Sequence, residues 1–215
     1  MADDDFALTI ALAEYEAVRE MRRGAHEGSA ARFNYFLVVA SGGTAVVAGL
    51  LGSGDTDTAR TAAALAIGAM VLLVGGVVFV RLVHYRVTGL EYNTALDALR
   101  TYLVSRAPEV GPYVVMPTLA DDVRLRMSSR VRSWTGLAST VGLVNSVLLA
   151  LAAGALSGWA RSHWGVALVA GLIVLVNAVL GHRAYERAII DRAITRLRDR
   201  LPGAVNPGTA ANPGT

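Results

Sequence analysis

The chain has 215 residues, 53% of them hydrophobic and 17% charged, with a mean hydropathy of +0.45. Ordinary soluble domains carry roughly 25% charged residues, so this balance points to a membrane. The lack of cysteine excludes disulfides, thiol nucleophiles and thiolate metal sites, and a formal charge of +3 spread along the chain, despite a pI near 9.6, is better explained by membrane topology than by a nucleic-acid partner.

Residues 1–32 open with "ADDD" and continue through "EYEAVREMRR". This is an amphipathic cytoplasmic helix; a signal peptide would have a basic start, an apolar core and a small-residue cleavage site. Four uncharged runs follow: Phe33 to Gly54, Thr61 to Val80, Ser133 to Ala160 and Ser162 to Gly181. A hydrocarbon core of ~30 Å takes ~20 residues at 1.5 Å each, so each run can cross once. The second run passes without a break into "RLVHYRVTGLEYNTALDALRTYL", which predicts one helix that leaves the membrane and continues in water. Its wet half carries an apolar stripe, Tyr92, Leu96, Leu99 and Leu103, suited to packing on another helix. Pro108, Gly111, Pro112 and Pro117 then make residues 108–117 a linker. Thr118 with Asp121 predicts the start of a further cytoplasmic helix of about 14 residues. The fourth run continues likewise into a stripe of Ile190, Ile194, Leu197 and Leu201, and residues 202–215, with NPGT twice, are expected to be disordered.

Arginine sets the orientation. All 20 basic residues are Arg, and the two short connectors hold one each, Arg60 and Arg161. The excess elsewhere places both termini and the centre in the cytoplasm of a bacterial cell, with the spans in its inner membrane. Arg19, Arg22, Arg23, Arg124, Arg126, Arg130 and Arg132 read first as topology-setting residues in contact with lipid headgroups, and alternatively as a basic surface that accepts an acidic ligand or partner.

Shifting the sequence by 98 positions superposes its halves, with 15 identities over the 71 positions from Phe33 to Leu103. That is roughly twice what so Ala-, Val-, Leu- and Gly-rich a composition gives by chance, and the polar matches carry the case: Ser41 on Ser139, His84 on His182 and Arg100 on Arg198. The predicted fold is an all-α integral membrane protein of four transmembrane helices, arranged as two tandem helical hairpins (33–107 and 118–201) in parallel repeat. The second and fourth spans extend as cytoplasmic helices.

No Asp, Glu, Lys or Arg interrupts a span. The polar residues that do are Ser41, Thr44, Ser139, Thr140, Asn145, Ser146 and Asn177. They read first as interhelical hydrogen-bonding groups and alternatively as the lining of a narrow polar path. At the cytoplasmic ends of the second and fourth spans, His84 with Arg86 and His182 with Arg183 form a candidate mouth cluster. Ordinary interfacial residues are the plainer reading there, and an anion or metal site the sharper one. The stripes Tyr92, Leu96, Leu99, Leu103 and Ile190, Ile194, Leu197, Leu201 are candidate interaction surfaces. Phosphate-cradling glycine patterns, HExxH, GxSxG and paired catalytic carboxylates are absent from the sequence, so neither an enzyme nor a cofactor is expected.

The order "EYEAVREMRRGAHEGSAARFNYFL", two spans and a long cytoplasmic helix resembles the SLATT-type membrane effectors of bacterial nucleotide-signalling and anti-phage systems. The similarity covers Glu14 to about Leu103 and again Leu119 to Leu201, and this chain differs in carrying four spans. The resemblance implies a homo-oligomer that breaches the inner membrane on a partner's signal, acting physically. Two other readings fit the residues: a membrane-anchored adaptor that recruits a soluble cytoplasmic protein, and a small transporter or channel component built around Asn145 and Asn177.

Overall fold

A computed structural model describes residues 2–52, 58–114, 136–161 and 164–200. Every regular element in them is helical: α1 (Ala2–Gly52), α2 (Thr58–Arg106), a short 3-10 turn (Pro108–Tyr113), α3 (Leu137–Arg161) and α4 (Trp164–Arg200). The expected helix start at Thr118 and Asp121, the tail 202–215 and Leu201 of the second stripe lie outside the described residues.

The length of these helices follows from where proline is. All six prolines lie at position 108 or later, and three of them at 202 or later. Nothing therefore interrupts the 51 residues of α1 or the 49 of α2, and each passes from charged to apolar sequence as one helix. α2 ends where the sequence first forbids a helix. Ala107, held off the helical region by the following Pro108, has φ −136° and ψ 75°, and its N–H gives the last bond of the helix, to Leu103 O at 3.1 Å.

Four helices are long and apolar enough to cross a membrane, within Phe6–Gly52, Thr58–Arg106, Leu137–Gly154 and Leu168–Leu197. Helices suit that solvent because they satisfy every backbone N–H and C=O internally. The chain itself covers little of their apolar surface: 28% of the most apolar stretch of α2 is buried, and none of that of α4. Side chains such as Leu73, Met70, Leu168, Leu172 and Leu180 remain more than half exposed. Such a surface belongs in lipid or against other apolar helices.

The chain divides into two compact units. One comprises residues 27–84 and 134–187. Here α2 and α3 meet through Gly75 against Asn145 and Phe79 against Gly142, while α3 and α4 meet through Gly154 and Ala150 against Gly171, with Ser146 against His182 and Ser139 against Glu186. Along each pair the contacts run in opposite chain directions. Phe36, Val83, Val141 and Ser146 are fully buried.

The other unit comprises residues 1–26, 85–133 and 188–215. It buries Ala11 and Val18 from α1, Val87 and Leu96 from α2, and Ala193 and Leu197 from α4. In the first stripe Leu96 is buried at 2% exposure, while Tyr92, Leu99 and Leu103 are half-buried; in the second Leu197 is buried and Ile190 and Ile194 half-buried. α2 also buries Thr94 and Asp97, which lie off this stripe.

Candidate functional site: a polar seam among apolar helices

Between Leu137 and Ala160, α3 carries no ionisable residue, yet it gathers most of the buried polarity described in its unit. Ser139, Gly142 and Ser146 recur at i, i+3 and i+7, so they share one face of the helix. On α4, His182 and Glu186 are one turn apart and share a face for the same reason. The two faces meet. Ser139 Oγ donates to Glu186 Oε2 at 3.3 Å, and Ser146 Oγ lies 3.1 Å from His182 Nδ1. Glu186 is 5% exposed and Ser146 fully buried.

The hydrogen bonds fix the histidine tautomer. His182 Nδ1 lies 2.7 Å from Ala178 O, and a carbonyl oxygen can only accept. Nδ1 therefore carries the proton. The single hydroxyl proton of Ser146 goes to Gly142 O at 2.7 Å, so its oxygen is left to accept from the same ring N–H. Phe79 closes the site, meeting the imidazole edge-on with centroids 4.6 Å apart and planes at 81°, and lying 6.0 Å from the Tyr185 ring. A Cβ on Gly142 would stand 3.1 Å from Phe79 and 3.4 Å from His182 Cβ, so glycine is what admits both rings.

Asn145 occupies the neighbouring face of α3 and lies in the space that the missing side chain of Gly75 leaves on α2. It is 4% exposed, and its Oδ1 is buried with no hydrogen-bond partner. An amide oxygen in that condition costs ~1–3 kcal/mol relative to a satisfied one. Buried polar groups are otherwise paired almost without exception, so this atom calls for a reason.

Of the residues marked out in the sequence, the structure brings Ser139, Asn145, Ser146 and His182 into this seam. Ser41, Thr44 and Asn177 are exposed: Ser41 Oγ bonds to Val38 O at 3.2 Å, and Asn177 Nδ2 to Ile173 O at 2.8 Å, each within its own helix. Asn145 and Asn177 thus have different surroundings. His84 and His182 share the habit of bonding to the carbonyl four residues earlier, but His84 is exposed and His182 half-buried among aromatic and hydroxyl groups. Arg86 and Arg183 are half-buried. Among the described residues, no group of three or more His, Asp or Glu could hold a metal ion.

Sequence reasoning did not single out Glu186, Phe79 or Gly75 for the seam. Glu186 stands past Gly181, where the uncharged run stops, and the one available signal was its spacing of four from His182. A second polar contact also went unread, in the unit of residues 1–26, 85–133 and 188–215. There Arg100 Nη1 donates to Asp97 Oδ1 at 2.7 Å, with the two side chains 14% and 9% exposed. The Arg100 guanidinium also reaches Tyr15 Oη at 3.4 Å and lies 5.8 Å from the centre of that ring, tying α2 to the start of α1.

No protein-family model, curated protein or solved structure matches this chain.

Proposed function

We propose that this chain is a non-enzymatic, multi-pass protein of a bacterial inner membrane, with both termini in the cytoplasm, that self-associates and makes the membrane permeable under the control of a partner. The observation that carries the reading is the seam, and within it the unpartnered Oδ1 of Asn145. A protein that needed only an anchor would gain stability by filling that position with an apolar side chain. A protein whose helices part to admit water has a use for it, since hydration satisfies the orphaned oxygen in the open form and favours opening. The poorly covered apolar faces of α2 and α4 support assembly in the same membrane. The resemblance to SLATT-type effectors supplies the kind of work such an assembly performs.

Dye release from liposomes carrying the reconstituted protein tests this. Wild-type protein should release the dye. Asn145→Leu should insert equally well and release at most a tenth as much, whereas Asn177→Leu, at an exposed and self-satisfied site, should behave as wild type. A wild-type protein that leaves liposomes tight under every partner and lipid condition refutes the proposal.

A second reading, a membrane-anchored adaptor, is supported by the half-exposed Leu99 and Leu103 of α2 and Ile190 and Ile194 of α4. It predicts that Leu99→Glu loses a co-purifying cytoplasmic protein while dye retention stays unchanged.

A further inference from the structure

We propose that copies of this chain assemble head to tail through their cytoplasmic helices, the Glu16 and Glu20 face of α1 in one copy meeting the Arg192 and Arg196 face of α4 in the next. The inference rests on the self-association proposed above and names a surface that carries it.

Three observations support it. First, the two helix segments, which belong to one compact unit, have opposite charge. Residues 2–26 hold six carboxylates against three Arg, and no Arg precedes position 19, whereas residues 188–200 hold four Arg against two Asp. Second, these charges are not spent within one copy. Glu16, Arg192 and Arg196 are exposed, and among the described residues none of them has an ion-pair partner; Arg196 Nε donates only to Arg192 O of its own helix, at 3.3 Å. Glu20 meets Arg23 at 3.4 Å, but with side chains 74% and 67% exposed such a pair contributes little. Third, the spacing matches. The residues of each pair are four apart and so share a face of their helix. Measured along the helices, Glu20 and Glu16 precede Phe33, where the first uncharged run starts, by 13 and 17 positions, and Arg192 and Arg196 follow Gly181, where the last run ends, by 11 and 15. In the placement proposed above, α1 runs toward the membrane and α4 away from it. Between neighbouring copies Glu20 then comes level with Arg192 and Glu16 with Arg196, to within about two residues, or ~3 Å along the helix.

Other occupants fit this face of α1 less well. The cytoplasmic leaflet is anionic and repels carboxylates. Two copies meeting through the same α1 face would set Glu16 and Glu20 against their own kind, a juxtaposition of like charges that costs several kcal/mol. Leu12, 49% exposed, with the exposed Ala13 and Ala17, flanks the two carboxylates and gives the basic helix apolar surface to cover. Asp199 lies on the same side of α4 as the two arginines, leaving that face two Arg to one Asp. A contact between unlike faces leaves a free face at each end, so it adds copies until a ring closes.

The test is disulfide trapping between full-length copies in liposomes, for which the chain offers no native cysteine to interfere. Ala17→Cys and Thr195→Cys, both at exposed positions, are placed on separately tagged copies, so a mixed disulfide forms only between copies. Expected is the mixed product, with little Ala17→Cys homodimer. Its yield should fall more than tenfold when the Thr195→Cys copy also carries Arg192→Glu and Arg196→Glu, and should recover to at least half when the other copy carries Glu16→Arg and Glu20→Arg. Raising the salt from about 0.05 M to about 0.5 M should lower the wild-type yield with no charge altered, because exposed charges are screened. A protein that is monomeric by native mass spectrometry refutes self-association itself, and this interface with it. In a multimer, the interface alone is overturned by an Ala17→Cys homodimer as the main product, by the absence of the mixed disulfide, which leaves the face to lipid or to another protein, or by a yield indifferent to charge reversal, to the swap or to salt.

Discussion

Replacing Gly75 by alanine probes the seam most directly, because the expected effect changes sign with the neighbour. In an exposed helix interior, Gly→Ala stabilises by ~0.5–1 kcal/mol, since glycine loses more backbone freedom on folding. At Gly75 the new methyl would fall on Asn145, whose Oδ1, Nδ2 and Cγ all lie where a Cβ would go. The tip of a long side chain could swing aside, but Asn145 is short and 4% exposed, so relief requires α2 and α3 to separate or the amide to leave a favoured rotamer. Overpacking of that kind costs ~1–3 kcal/mol. Net of the backbone gain, Gly75→Ala should destabilise the wild type by about 1–2 kcal/mol, or roughly 2–8 °C in Tm for a chain of this size. With Asn145→Ala already in place the obstruction is gone, and the same substitution should stabilise by about 0.5–1 kcal/mol. Thermal unfolding of the four proteins in nanodiscs, followed by circular dichroism, reads the coupling. Equal effects of Gly75→Ala in both backgrounds would refute the contact between α2 and α3 on which the seam is built.

Arg100→Met withdraws the guanidinium from the buried Asp97 carboxylate and from Tyr15, and should cost about 3 kcal/mol, the lower end for breaking a buried ion pair, with faster amide exchange along residues 85–106. Asp97→Asn in the same background should recover part of that loss, and failure to recover any would mean the pair is not coupled. Gly171→Leu must push α4 from α3, because even a Cβ there would stand 3.1 Å from Ala150 O; a loss of about 3 kcal/mol in unfolding free energy is expected. Asn177→Leu should change stability by less than ~0.5 kcal/mol, as its amide is exposed and bonded only to its own helix. The lack of native cysteine makes orientation simple to read: a single cysteine at Glu109 should be labelled only from the cytoplasm, and one at Arg60 only from outside.

Much of this architecture is local in origin, and so it is legible in the sequence. Runs of about 20 uncharged residues decide which stretches are apolar enough to cross a bilayer. The confinement of proline to positions 108 and beyond decides that α1 and α2 run unbroken past the ends of those stretches. Both facts depend on neighbours in the chain and on backbone hydrogen bonding, which act wherever the helix lies. The sequence likewise nominates Ser139, Asn145, Ser146 and His182 as polar groups in apolar surroundings.

Only the tertiary structure decides what those groups meet. Asn145 and Asn177 are the same amide in similar apolar sequence, yet one faces Gly75 without a partner for its oxygen and the other is exposed and donates to the Ile173 carbonyl of its own helix. Likewise the two histidines 98 residues apart carry matching local bonds but differ in exposure, His84 being exposed and His182 half-buried. The 98-residue correspondence could not foretell the seam: Ser139 and His182 have matching residues in the first half, but the groups around them do not, since Ala48 stands opposite Ser146, Thr88 opposite Glu186 and Val47 opposite Asn145. Periodicity tells which residues share a face of one helix. Which face of a second helix comes against it is settled by close packing between helices, through Gly75, Gly142 and Gly171, and that information is spread over positions far apart in the chain.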